Sequence, residues 1–314
     1  MSKPSLSPII CLMGPTASGK TPLAVEMVQR FPCDIVSVDS AMVYRGMDIG
    51  TAKPDADVLK IAPHRLINLR DPKEAYSAGE FRTDALHEIE DIIAHGKIPL
   101  LVGGTMMYFR VLTQGLAKLP KADAELRAEL KARAEKEGWE SVHAELMRVD
   151  PIASNRIHPR DSQRIQRALE VYRLTGKTIT DWQRDDTSPL SNYRVHNFII
   201  APADRSRLHD RIALRFQQML ELGLVDEVRQ LYERGDLSPD LPSIRSVGYR
   251  QVWEYLDGKI TYEQMIEKAI AATRQLAKRQ LTWLRPWPNA QWFDSDDAGL
   301  LDSVSRGFEM ITKG

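Results

Sequence analysis

The 314-residue chain has two cysteines, Cys11 and Cys33. Two thiols cannot build a disulfide framework or a four-ligand zinc site. Both sit in apolar surroundings, which reads as packed thiols. No apolar run approaches the roughly 18 residues that a membrane helix needs. The first eight residues carry one lysine among prolines and serines, without the charged start, apolar middle and cleavage site of a signal peptide. A cytoplasmic protein with no membrane partner is the expectation. Internal repeats and low-complexity stretches are absent, and so is any excess of charge: 43 basic and 43 acidic side chains cancel. Taken alone, a net charge of zero argues against nucleic acid as a partner. With 43% hydrophobic and 27% charged residues the composition is that of a globular protein, not a disordered one. The length fits one large domain or two moderate ones.

What is present is an alternation of strands and helices. Residues 9–14 form a short apolar run ending in glycine, which predicts a buried strand. Residues 19–31 repeat apolar positions at helical spacing (Leu23, Ala24, Met27, Val28, Phe31). Residues 34–40 and 98–104 predict two more strands, with a helix over 77–95 between them. Strands alternating with helices imply a parallel sheet covered on both faces. After about Gly115 the character changes. Residues 122–137 are rich in Ala, Glu, Lys, Arg and Leu, which favour helix. Helices follow over 140–147 and, capped by Asp161 and closed by Gly176, over 161–174. Strand character returns at 193–201, and long helices are predicted over 206–234 and 262–284. The chain therefore reads as an α/β catalytic core (1–115 and 193–314) carrying a helical insertion (116–192).

One motif carries chemistry by itself. Gly14-Pro15-Thr16-Ala17-Ser18-Gly19-Lys20-Thr21 matches G-x-x-x-x-G-K-[ST], after a predicted strand and before a predicted helix. Glycines let backbone N–H groups curl around an anion. The helix N-terminus adds positive partial charge. Lys20 supplies a flexible cation, and Thr21 a hydroxyl for Mg²⁺. The loop specifies a polyphosphate or pyrophosphate and not, by itself, a nucleotide. Asp39 lies at the carboxyl end of the second strand, where ligands of open α/β sheets sit. It can serve as a general base, as a ligand on the magnesium side, or as a cap for the next segment. Gly103-Gly104-Thr105 ends the third strand in the same crevice. It reads either as backbone making room for a ligand, with Thr105 holding a substrate group, or as a tight turn.

Together these segments resemble a known family. The loop from Met13 to Thr21, then Ser37-Val38-Asp39-Ser40, Met47-Asp48-Ile49-Gly50-Thr51-Ala52-Lys53-Pro54 and Pro99-Leu100-Leu101-Val102-Gly103-Gly104-Thr105 are similar to bacterial tRNA dimethylallyltransferases. So are residues 150–159, Arg245-Ser246-Val247-Gly248-Tyr249-Arg250 and residues 273–285. The resemblance spans nearly the whole chain; Pro22, where alanine is expected, is a minor departure. It implies a P-loop nucleoside-triphosphate-hydrolase-like parallel sheet with the helical insertion contacting tRNA. It implies transfer of a dimethylallyl group from dimethylallyl diphosphate to N6 of adenosine 37, next to the anticodon, in tRNAs reading codons that begin with U. The diphosphate would occupy the loop, with Mg²⁺. Asp39 would take the N6 proton, Thr105 would place the reacting groups, and Arg215 would assist the diphosphate. The tRNA would be met by Asp39, Ser40, Ala41 and Met42, by Thr105 and Arg127, and by Gln163, Arg164, Ile165, Gln166 and Arg167. Further contacts are implied for Arg245, Ser246, Val247, Gly248, Tyr249 and Arg250, and for Lys278, Arg279, Gln280, Leu281, Thr282, Trp283, Leu284 and Arg285. A monomer is expected. Eukaryotic relatives often add a zinc finger for tRNA, which two cysteines cannot supply.

The zero net charge hides segregation. Residues 154–177 hold six basic and two acidic side chains, a net of +4. Residues 269–290 hold four basic and no acidic ones, again +4, and 291–314 carry −3. Two basic helices suit a phosphate backbone. Tyr249, Trp253, Trp283 and Trp287 lie among the basic residues, either to stack on unpaired bases or to fill the core. Arg207, Arg211 and Arg215 repeat at four and share a helix face, with Asp210 as the simplest partner for a solvated face. Other readings stay open: a prenyltransferase of free adenine nucleotides, an ATP-dependent small-molecule kinase, or a non-catalytic RNA-binding protein. The kinase leaves the Arg-rich helices unexplained, and the intact loop argues against the non-catalytic protein.

Overall fold

A computed structural model describes residues 6–117, 119–184 and 188–313; residues 1–5, the head of the stretch read for a leader, lie outside them. From the N-terminus come β1 (Pro8–Met13), α1 (Lys20–Arg30), β2 (Cys33–Val38), α2 (Ala56–Ile61), β3 (His64–Arg65), α3 (Ala78–Ala94), β4 (Ile98–Gly103) and α4 (Met106–Thr113). Five helices follow: α5 (Ala124–Glu137), α6 (Trp139–Val149), α7 (Pro151–Arg156), α8 (Ser162–Thr175) and α9 (Ile179–Arg184). The chain continues through β5 (Arg194–Ala201), α10 (Arg205–Glu221), α11 (Leu224–Glu233), α12 (Tyr249–Leu256), α13 (Tyr262–Leu284), β6 (Ala290–Asp294) and α14 (Leu300–Lys313). Leu112–Pro189 forms one compact unit and the remainder another.

The larger unit is an α/β fold. Its sheet runs β3-β2-β4-β1-β5-β6, and every pairing is parallel. β1 and β4 are buried along almost their whole length, as expected for strands covered on both faces. On one face Ile10, Leu12, Leu23, Met27, Phe198 and Phe308 share a core. A second core, of Val43, Tyr44, Met47, Leu224, Tyr249, Val252 and Trp253, packs the helices after β5 against the segment after β2. Each such large side chain contributes about 1.5–3 kcal/mol by leaving water. The smaller unit has its own core around Leu130, Val142, Leu146, Ile165 and Leu169.

Local signals set the element ends. Ser77 and Glu80 close a reciprocal capping box on α3. Asp161 caps α8 through the Arg164 N–H, and Gly176 ends it in the left-handed region. One expectation needs correction. Residues 206–234 are two helices, not one: Gly223 takes φ 95°, which no helix interior allows, and the chain turns there into α11. Residues 291–314, for which the sequence gives only a net charge and no elements, are structured. β6 adds the outermost strand beside β5, and α14 seats Phe308 and Ile311 in the core. No helix among the described residues is long and apolar enough to cross a membrane.

Candidate active site

Register brings the three chemistry-bearing strand ends together. Met13 of β1 and Val38 of β2 both pair with Gly103 of β4. The residues that follow (Gly14, Asp39 and Gly104-Thr105) therefore leave the sheet side by side at its carboxyl edge. β1 and β2 lie two strand spacings apart, about 10 Å. That gap is wide enough for a diphosphate ester and an amine between the loop and Asp39. The cleft above this edge has a volume of about 1150 Å³ and takes in the loop, Asp39, Thr105, Arg215, Arg245 and Arg279.

The loop is wound as its motif requires. Gly19 caps α1 at φ 84°, and Ser18 is buried. Lys20 Nζ donates to the Pro15 carbonyl at 2.6 Å and lies 3.4 Å from Ser18 Oγ. Neither partner carries charge. Burial, reinforced by the Arg215 cation and only partly opposed by Asp39, pulls the Lys20 ammonium down to about 7. Burial also lowers Arg215, with Asp39 again opposing. Two half-buried cations without a hydrogen-bonded carboxylate make a site that gains from an incoming anion.

Asp39 uses one oxygen as a cap. Its Oδ1 accepts from the Ala41 N–H at 2.8 Å and the Met42 N–H at 3.3 Å, and Oδ2 has no hydrogen bond among the described residues. Thr105 Oγ1 accepts from the Ser40 N–H at 3.0 Å and lies 3.3 Å from Ser40 Oγ. Its own N–H donates to the Val38 carbonyl at 3.2 Å. Asp39, Ser40 and Thr105 thus form one hydrogen-bonded corner. The Gly103-Gly104 pair, on the cleft wall, is crowded by protein neighbours. A Cβ on Gly103 would lie 2.0 Å from the Val38 carbonyl oxygen, and one on Gly104 would lie 2.4 Å from Gln280 Nε2.

Among the described residues no cluster of three or more His, Cys, Asp or Glu side chains could hold a metal ion. Thr21, on the cleft wall, offers a single hydroxyl. That suits Mg²⁺, which takes one or two protein oxygens and completes its shell with substrate phosphates and water.

The remaining expected residues divide by exposure. Lys278, Arg279, Thr282 and Arg285 lie on the exposed side of α13, and the three cations make no ion pair among the described residues. Leu281 and Trp283 are half-buried, Trp283 under the Arg110 guanidinium at 5.7 Å. Leu284 is fully buried. Gln280 is also buried: its Oε1 accepts from the Thr16 N–H and its Nε2 donates to the Gly104 carbonyl, both at 2.9 Å. Arg245 is exposed, with Ser246 and Val247 half-buried on the cleft wall. Arg250 pairs with Glu254 at 3.2 Å. Tyr249 is fully buried, its hydroxyl donating to Glu227 at 2.5 Å. Trp253 and Trp287 are core residues, so of the four aromatics only Trp283 keeps a partly open ring. Arg211 pairs with Asp296, not with Asp210.

In the smaller unit the arginines are largely spent on carboxylates. Arg127 grips the buried Glu170 with two bonds, at 2.8 and 3.0 Å, and Arg167 adds a third at 2.6 Å. Gln166 donates to the Arg127 carbonyl at 2.8 Å, and Ile165 is core. Gln163 and Arg164 remain exposed. Sequence reasoning missed Glu227, whose carboxylate accepts from the N–H groups of Asp48, Ile49 and Gly50 at 2.8–3.1 Å. An isolated glutamate in a helical stretch gives no signal of partners 177 to 179 positions away.

The family profile described as IPP transferase matches residues 42–287. A tRNA dimethylallyltransferase 2 of Hahella chejuensis is 56% identical over 96% of this chain and 95% of its own. The full-length tRNA isopentenylpyrophosphate transferase of Bacillus halodurans superposes with a TM-score of 0.70 at 36% identity, covering 98% of both chains. A eukaryotic dimethylallyltransferase acting on tRNA superposes with a TM-score of 0.82 at 27% identity, over 97% of this chain and 78% of its own.

Proposed function

Because the chain belongs to the IPP transferase family, we propose that it transfers a dimethylallyl group from dimethylallyl diphosphate to N6 of adenosine 37 in tRNAs reading codons that begin with U, releasing diphosphate. The observation that carries this reading is one cleft in which uncompensated cations and loop N–H groups face a carboxylate with an open oxygen. One end of the cleft suits a leaving diphosphate, the other an attacking amine.

An adenine amino group is a weak nucleophile, because its lone pair is delocalised into the ring. As N6 forms its bond to the allylic carbon, Asp39 Oδ2 takes the N6 proton, while Oδ1 stays fixed by its two backbone donors. The carbon–oxygen bond breaks and the electron pair leaves on diphosphate. Loop N–H groups, Lys20 and Arg215 stabilise that growing charge in a site largely out of water. Thr21 would hold Mg²⁺, which when bound adds charge neutralisation on the diphosphate. Phe216, Met219 and Leu276 supply apolar wall for the prenyl chain. An adenine must leave its stack to reach the sheet edge, so the base is flipped. In the larger unit RNA is met by the exposed cations Arg245, Lys278, Arg279 and Arg285, with Ser40 to Met42 and Thr105 at the reacting base, and in the smaller unit by the exposed Arg164; Arg127 and Arg167 act there through Glu170, and Tyr249 through Glu227.

The test is incubation with Mg²⁺, an anticodon stem-loop and either dimethylallyl diphosphate or ATP, with adenosine monophosphate as competing acceptor. A gain of C5H8 on the RNA alone, read by mass spectrometry, is expected. Prenylation of the free nucleotide, or phosphoryl transfer from ATP, would refute the proposal.

A further inference from the structure

We propose that Gln280 is a positioning residue, whose side-chain amide sets the spacing between the diphosphate loop and the Gly104-Thr105 end of β4. The proposal rests on the function above and assigns that reaction a residue that acts through the loop and the Gly104 peptide.

Gln280 lies on α13 and is 9% exposed. Its amide joins two segments far from it in sequence: Oε1 accepts from the Thr16 N–H, and Nε2 donates to the Gly104 carbonyl, each at 2.9 Å. The orientation has one solution. A flipped amide would set NH₂ against N–H and oxygen against carbonyl, losing both bonds. The peptide that Gln280 grips is the one whose carbonyl, on Pro15, accepts from Lys20 at 2.6 Å. One peptide plane of the donor loop is therefore held from both ends, by the anion-binding lysine and by Gln280. On the other side, the gripped carbonyl of Gly104 immediately precedes Thr105, which is hydrogen-bonded to Ser40 beside Asp39. Gly104 cannot carry a side chain here, because its Cβ would lie 2.4 Å from the amide nitrogen. The bridge thus spans from the donor cradle to the acceptor corner. It also withdraws the Thr16 N–H from the set that can reach a phosphate. α13 also carries the exposed Lys278 and Arg279 and is capped by the exposed Arg285, so the helix proposed to receive RNA is the one that braces the loop.

Gln280→Met keeps chain length and removes both bonds. Donor-dependent transfer to an anticodon stem-loop is measured beside RNA affinity and thermal melting. A shift of the loop against Thr105 lowers kcat/KM for the prenyl donor by about 10- to 100-fold, with RNA affinity unchanged. Gln280→Glu provides a readout that packing alone does not move. A carboxylate accepts from Thr16 but cannot donate to Gly104; its protonated form does both. Measured at saturating donor, whose diphosphate keeps Lys20 charged in both enzymes, the ratio of Gln280→Glu to wild-type kcat therefore rises as pH falls. If Gln280→Met fails to fold, this ratio decides. Wild-type donor kinetics in Gln280→Met, a flat ratio, or a loss confined to RNA affinity each overturns the proposal. Inactive wild-type protein would instead sink the proposed function, and this proposal with it; an active wild type with unaffected variants sinks this proposal alone.

Discussion

Lys20 is the side chain whose state should report the site most directly. Burial and Arg215 hold its ammonium near 7 in the free protein, whereas a bound diphosphate favours the charged form. Donor affinity should therefore be greatest below about pH 7 and weaken as pH rises through that value. Calorimetry in buffers of different ionisation enthalpy should show proton uptake on donor binding above it, and Lys20→Met should abolish that uptake. The sign for folding runs the other way. An unfolded lysine stays protonated to about 10.5, so between the two values the unfolded chain binds more protons, and ligand-free stability rises with pH. Asp39→Asn separates chemistry from structure. Asparagine keeps an Oδ1 for the Ala41 and Met42 N–H groups but takes no proton. Turnover should fall by about 10²–10⁴ with RNA affinity retained, as single-turnover transfer and a filter-binding titration would show.

At the scale of elements, Glu227 at the start of α11 holds the 48–50 loop through three N–H groups and α12 through the Tyr249 hydroxyl. Gly50 lies so close to the Tyr249 ring that a Cβ would come within 2.5 Å of it. Tyr249→Phe should cost about 1–2 kcal/mol of stability, and Glu227→Gln about 2–3 kcal/mol, since it sets an amide donor against backbone donors. Chemical denaturation gives both values. This node also marks what could be read from the sequence. The phosphate loop, Asp39, Ser77 and Asp161 act on neighbours within a few residues, so their local spacing carries the information. Gln280 and Glu227 act on partners more than 170 positions away, and no periodicity encodes such a pairing. Gly103 and Gly104 were visible as special, but the cause, a strand and a helix pressed against them, required the fold. β6 escaped notice because an edge strand of five residues with one buried side chain has no apolar run.

For the whole molecule, the balance of 43 against 43 conceals unequal spending of charge. Part of the excess counted within residues 154–177 is cancelled by acids on other helices, Arg173 pairing with Glu129 and Glu145 and Arg160 with Glu140, while Arg167 pairs with Glu170 on its own helix. The C-terminal end of α13 differs: Lys278, Arg279 and the capping Arg285 are exposed without ion partners among the described residues. A phosphate contact releases counterions only from a cation that is not already neutralised. Replacing Lys278 and Arg279 with alanine should flatten the dependence of log K on log salt for tRNA by about 1.4 to 1.8. Replacing Arg167 should leave that slope nearly unchanged and instead cost about 2 kcal/mol in folding, because Glu170 loses a charged partner while fully buried. Salt-dependent tRNA titrations paired with melts of the same variants separate the two effects. Equal slopes for both sets of variants would mean that ion pairing within the protein does not decide which basic residues meet the RNA.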